Sequence, residues 1–161
     1  MENKESVLKQ LYSSDEQTQN TAIDIIKKEG DLSVVPELLD YIVKESHNLS
    51  VINILTDIKD SSFKSMLINR MQSEASPAGK AILLRICWES SLDFSEYADL
   101  FAKMLLEGPF EVALEASTIL ENLSSIEPDK GKEIIALLKK NKSDEQISFL
   151  VDNVIEYLTA P

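Results

Sequence analysis

Cysteine and histidine each occur once, at Cys87 and His47. One cysteine excludes a disulfide framework and a cysteine-based zinc site. One histidine excludes the HExxH motif and any histidine-rich metal site. Glycine (4) and proline (5) are scarce, which argues against an all-β chain built on many tight turns. Basic residues are outnumbered 16 to 28, for a formal charge of −12. That balance argues against nucleic acid, which needs a basic face toward phosphate, and against an anionic membrane surface. No apolar run approaches the roughly 18 residues of a membrane span, and no apolar stretch follows a basic start as in a secretory signal. A cytoplasmic protein is the expectation. P-loop, GxGxxG and calcium-loop spacings are also missing. The 161 residues that remain suffice for one domain with a sizeable core.

What is present is helical periodicity, nearly everywhere. Val34, Val35, Leu38 and Ile42 form one stripe, with Glu37, Asp40 and Lys44 opposite. Val112, Ala116, Ile119, Leu120 and Leu123 form another, opposite Glu111, Glu115, Thr118 and Asn122. Helix punctuation agrees. Ser143 to Gln146 has the S-x-x-Q form of a capping box, and Ser13 to Glu16 the S-x-x-E form. Asp93 places a carboxylate cap before a further helix, and Pro77, Pro109 and Pro128 stand where a first turn tolerates a missing N–H. Gly30 follows Lys27 and Lys28 as a helix end with a cationic last turn. Ten helices are predicted, starting near residues 4, 15, 33, 48, 62, 77, 94, 109, 128 and 144. Short connections make sequential helices antiparallel neighbours.

The helices repeat in pairs. A shift of 29 residues lays Ala22, Ile23, Asp24, Ile25 and Ile26 on Val51, Ile52, Asn53, Ile54 and Leu55, and Asp31 on Asp60. First helices fall near 15, 48, 77, 109 and 144, a drifting period of the kind that stacked helical repeats show. The stretch 22–39 carries a helix with an apolar end, a Gly30-Asp31 turn, then Val34, Val35, Pro36 and Leu38 opening a second helix. It resembles a HEAT repeat, especially the shorter bacterial kind, and residues 55–63 are a looser copy. A tetratricopeptide array fits the period but its Trp-x-x-Leu-Gly-x-x-Tyr signature is missing. The expected fold is all-α, an α–α superhelix of about four to five antiparallel helix pairs of the HEAT/ARM kind. It forms a single domain, with a capping helix in 1–14, helix-pair repeats in 15–142 and a capping helix in 143–161. Many HEAT repeats set a basic residue of the second helix against a turn aspartate. Six residues after Asp31 and Asp60 stand Glu37 and Met66, so that ladder is not expected here.

The resemblance implies a concave wall of second helices that binds proteins or peptides. Positions expected on that wall are Glu37, Asp40, Tyr41 and Lys44, then Asn69 and Gln72, then Glu96, Asp99 and Lys103. Tyr41 stands at the flank of its apolar face, as either an anchor or half-buried packing. Arg70 is expected to bridge neighbouring repeats through a carboxylate. The helix at 81–88 is apolar nearly all round, as one buried on several sides should be, so Cys87 within it reads as a core thiol. His47 reads as a solvated connector. Neither has the partner that nucleophilic catalysis needs, and pairs such as Glu111 and Glu115 read as solvated faces rather than acid and base. No catalytic set, metal ligands or cofactor is expected.

Charge is uneven. Residues 86–127 hold nine acids and one base, Lys103, while 130–142 hold five lysines and one acid, Glu133. The acidic run is either a patch attracting a basic partner or a device for solubility. The expected function is a non-catalytic scaffold or adaptor for a protein or peptide, a basic partner being one option, and no nucleic acid or membrane. An enzyme or ligand-binding protein on a HEAT-like frame, lyase-like in type, is the alternative. An immunity-type protein sequestering a basic partner differs from the scaffold only in its client. Oligomeric state is not legible in the sequence.

Overall fold

The computed structural model describes residues 1, 3–141 and 144–161. Ten α-helices follow one another, and no strand occurs among the described residues: α1 (Lys4–Gln10), α2 (Glu16–Glu29), α3 (Val35–Lys44), α4 (Leu49–Thr56), α5 (Ser62–Ser73), α6 (Pro77–Glu89), α7 (Ala98–Glu107), α8 (Phe110–Leu120), α9 (Pro128–Asn141) and α10 (Glu145–Thr159). Single 3₁₀ turns, Leu32–Val34 and Ser95–Tyr97, lead into α3 and α7.

Local chemistry starts these helices. Asp15 accepts from the Thr18 amide at 2.9 Å, Asn48 from that of Val51 at 3.2 Å, and Ser76 from that of Gly79 at 3.2 Å. Asp31, Asp60 and Asp93 each accept from the amide of a serine two residues on, at 2.8, 2.8 and 2.9 Å. One Asp-x-Ser cap therefore opens each of three successive second helices, satisfying an amide with no intrahelical partner. Hydroxyl and amide donors of Thr18, Ser33 and Ser95 hold the Asp15, Asp31 and Asp93 carboxyls below the usual aspartate range, and the Ser62 amide leads the same effect at Asp60. Two caps differ from the sequence expectation. Ser13 accepts from the Asp15 amide and leaves the capping of α2 to Asp15, because the helix begins two residues later than the S-x-x-E spacing requires. Asp144 caps α10 through the Gln146 amide, and Ser143 lies outside the described residues.

The helices form two layers. α2, α4, α6, α8 and α10 lie side by side in one. In the other, α3 lies beside α5 and α7 beside α9. Close packing joins helices one, two or three places apart in chain order, as in a stack rather than a closed ring. The nearest approaches within hairpins join α1 to α2, α3 to α4, α5 to α6, α7 to α8 and α9 to α10. Hairpins in space thus straddle the pairs defined by the sequence period. Side-chain size sets which neighbour comes closer. α8 packs most tightly, against α7 and α6; α8 buries the small residues Ala113, Ala116 and Ser117, and α7 buries Ala98 and Ala102.

One apolar core runs the length of the stack, from Val7 and Leu11 to Val151 and Val154. Along α6, Ile82, Leu83, Leu84, Ile86 and Cys87 are all buried, as expected of a helix covered on several sides. Along α10, Ile147, Val151 and Val154 are buried while Asp152, Asn153 and Glu156 are exposed. Among the described residues, no helix is long and apolar enough to cross a membrane.

Candidate functional site

The second helices α3, α5, α7 and α9 are joined by one ion pair at each step. Arg70 on α5 meets Asp40 on α3 at 2.7 Å. Lys64 on α5 meets Glu96, in the turn before α7, at 2.8 Å. Lys130 on α9 meets Asp99 on α7 at 2.9 Å. Arg70 also holds Glu74 at 2.9 Å, and the Ser76 amide and Arg70 together keep the Glu74 carboxyl below its ordinary range. The bridging role expected of Arg70 is therefore present. The Lys64 and Lys130 rungs were not anticipated, because partners about 30 residues apart share no local signal. Each pair is partly exposed, so solvent screens it and it adds little to stability. They tie each second helix to the next across the wall.

These rungs sort the nine expected binding positions. Asp40, Glu96 and Asp99 are engaged in them. Glu37 accepts a hydrogen bond from the Tyr12 hydroxyl at 2.7 Å. Burial, then that bond and nearby carboxylate charge, push the Tyr12 hydroxyl well above the usual tyrosine range. Tyr41 is 2% exposed, which removes it from any surface. Its hydroxyl accepts from Gln19 Nε2 and Asn48 Nδ2, each at 3.0 Å, and its ring meets Tyr12 edge-on at 5.4 Å. The anchor reading of Tyr41 is thus corrected: Tyr12, Gln19 and Asn48 close over it, and a flanking position on an amphipathic helix does not reveal what distant residues cover. Lys44 sits 5.7 Å from the centre of the Tyr12 ring, a cation–π distance.

Asn69, Gln72 and Lys103 are exposed. Gln72 and Lys103 both line a cleft of about 430 Å³ that lies between α5 and α7 and reaches α6 and the start of α8. Leu100, Met104 and Val112 line its apolar part, with Lys80 and Glu107 at its edge. Lys103 stands 4.0 Å from Glu107. A second cleft, of about 400 Å³, lies on the other side of α7 and is lined by Lys64, Glu96, Asp99 and Lys130. Lys64, Glu96, Asp99 and Lys130 are paired in the two rungs, Asp93 accepts from the Ser95 amide, and Glu127 adds a further carboxylate to the lining.

Folding disperses the acidic run 86–127. Glu89 meets Arg85 at 2.7 Å, Glu96 and Asp99 stand in rungs, Asp93 caps a turn, and Glu115 accepts from the Trp88 indole at 2.7 Å. Glu121 is the C-cap of α8, and its burial raises its carboxyl above the ordinary range. The negative end of the helix dipole opposes its charge as well. A raised folded-state value means that stability present below the ordinary glutamate range is lost as pH rises through the folded value. Glu121→Gln mimics the protonated form. It is expected to raise the thermal midpoint at pH 7 by about 1–3 °C and to change it little at pH 3, followed by circular dichroism. An equal gain at both pH values would refute the electrostatic cause.

Cys87 is buried, and desolvation raises its thiol far above the usual range, so it is no nucleophile. His47 is exposed in the connector after α3. Among the described residues, no group of three His, Cys, Asp or Glu is placed to hold a metal ion. Sequence reading missed one surface. Phe110 and Leu114 on α8 and Phe149 on α10 are 44%, 40% and 51% exposed. The two phenyl rings lie 6.3 Å apart. The available signal was an aromatic off the buried phase of each helix. Comparison with models of known protein families, with curated proteins and with solved structures finds no match.

Proposed function

We propose that the chain is a cytoplasmic, non-catalytic scaffold of HEAT-like helix pairs that holds a protein or peptide segment against its second-helix wall. The observation that carries this reading is the cleft between α5 and α7. It combines an apolar floor (Leu100, Met104, Val112) with polar groups at its rim (Gln72, Lys80, Lys103). An extended segment seats side chains on such a floor and bonds to such a rim. The ion-pair rungs support the reading, since they link successive second helices into one preorganised wall, which lowers the cost of binding. A superhelical twist would make that wall concave, and the HEAT resemblance is the source of that expectation.

Peptides selected from a random display library test the proposal by fluorescence anisotropy. Gln72→Trp fills the cleft from an exposed position. Selected peptides are expected to bind this variant at least ten-fold more weakly than the parent, with the thermal midpoint unchanged. Peptides that bind both proteins equally would exclude the cleft.

A further inference from the structure

The exposed aromatic surface lies on the other wall. α8 buries Val112, Ala113, Ala116, Ser117, Ile119 and Leu120. Phe110 and Leu114, one turn apart, fall on its opposite side. α10 buries Ile147, Leu150, Val151 and Val154, which leaves Phe149 outside. Single exposed apolar residues need no explanation, but neighbouring ones do. Here two phenyl rings on adjacent first-layer helices lie 6.3 Å apart, with Leu114 a turn beyond. Nothing in the packing of α8 on α7 or α6 requires them. On the two helices themselves the charge is of one sign: α8 carries Glu111 and Glu115, α10 carries Glu145 and Glu156, and neither helix contains a lysine or arginine, while Lys139 and Lys140 of α9 lie in its last turn, before α10 begins. On α6, the next helix of the layer, Arg85 is paired with Glu89. The Trp88 indole, 38% exposed, donates to Glu115 and extends the aromatic surface toward α6.

We infer that the α8–α10 face is a docking surface for a basic amphipathic helix of a partner protein. The groove between two adjacent helices is where the ridge of a further helix seats, and an amphipathic helix places anchors at i, i+3 or i+4, and i+7. Its apolar stripe covers Phe110, Leu114 and Phe149. Lysine or arginine at its flanks meets the carboxylates of α8 and α10 and speeds encounter. Phe110 lies between Pro109 and Val112, which line the α5–α7 cleft, so the Gln72→Trp variant, altered on the far side of that cleft, tells the two sites apart.

The probe is a synthetic helical peptide of about 18 residues, long enough for two or more anchor turns, with leucine and phenylalanine on one face and lysine on the other. Controls are the same peptide with glutamate for lysine, and a scrambled lysine peptide. Binding is read by fluorescence anisotropy against the full chain, Phe110→Ser/Phe149→Ser, and Gln72→Trp. The basic amphipathic peptide is expected to bind the parent and Gln72→Trp alike, and at least ten-fold tighter than either control. Phe110→Ser/Phe149→Ser is expected to weaken it at least ten-fold with an unchanged circular dichroism spectrum. Failure of the basic peptide to bind would overturn the inference, as would equal binding by its glutamate counterpart or by the double variant. Sedimentation showing self-association of the parent that the double variant abolishes would assign the face to a second copy of the chain and equally overturn it.

Discussion

Phe101→Ala is expected to lower the free energy of unfolding by about 3–5 kcal/mol, the range for removing a buried aromatic ring. Phe101 is fully buried on α7, which packs closely against α8 and α9. The loss combines apolar surface no longer withdrawn from water with a cavity that the neighbours only partly fill. Small residues buried on α7 and α8, Ala102 and Ala116 among them, have no rotamers with which to fill it. Urea unfolding gives the magnitude. Hydrogen exchange gives the more telling result. In a stack whose close contacts reach no further than three helices, damage at α7 is expected to deprotect α6 to α10 before α2 and α3. Uniform deprotection of all ten helices would show one indivisible cooperative unit in place of a stack.

Tyr41 separates structure from binding. Tyr41→Phe keeps the ring and removes the hydroxyl that accepts from Gln19 and Asn48. Asn48 also caps α4, so the loss reaches the next pair. Leaving such donors without an acceptor costs about 1–3 kcal/mol. Tyr41→Ala removes the ring as well and is expected to cost about 3–5 kcal/mol. Thermal melts of both variants check the order. A Tyr41→Phe protein as stable as the parent would show that the Gln19, Tyr41 and Asn48 contacts add nothing to folding. Because Tyr41 is covered, neither variant is expected to alter peptide binding at temperatures well below its midpoint.

The position of Tyr41 shows where sequence reasoning stops. On α3, the stripe of Val35, Leu38 and Ile42 was plain from spacing, and Tyr41 stood at its flank. Whether a flank is open depends on what lies over it. Here the cover comes from Tyr12 and Gln19, more than twenty residues earlier. Asp40 was similarly read as a free carboxylate on an open wall, and in the fold it holds Arg70, thirty residues on. Arg70 itself was anticipated, because a guanidinium beside Phe63, Leu67 and Met71 needs a carboxylate to be tolerated there.

Helix starts, buried stripes and the Asp-x-Ser caps were determined by the sequence alone, since each depends on residues within about four positions along the chain, where helix geometry is invariant. Tertiary structure alone decided which helices approach most closely, which carboxylates find cations and which aromatics remain in water. Those outcomes depend on the register of one helix against another, which is set by the summed shape of side chains from distant segments. Phe149 was visible as a residue outside its helix's buried phase, but only packing placed it beside Phe110.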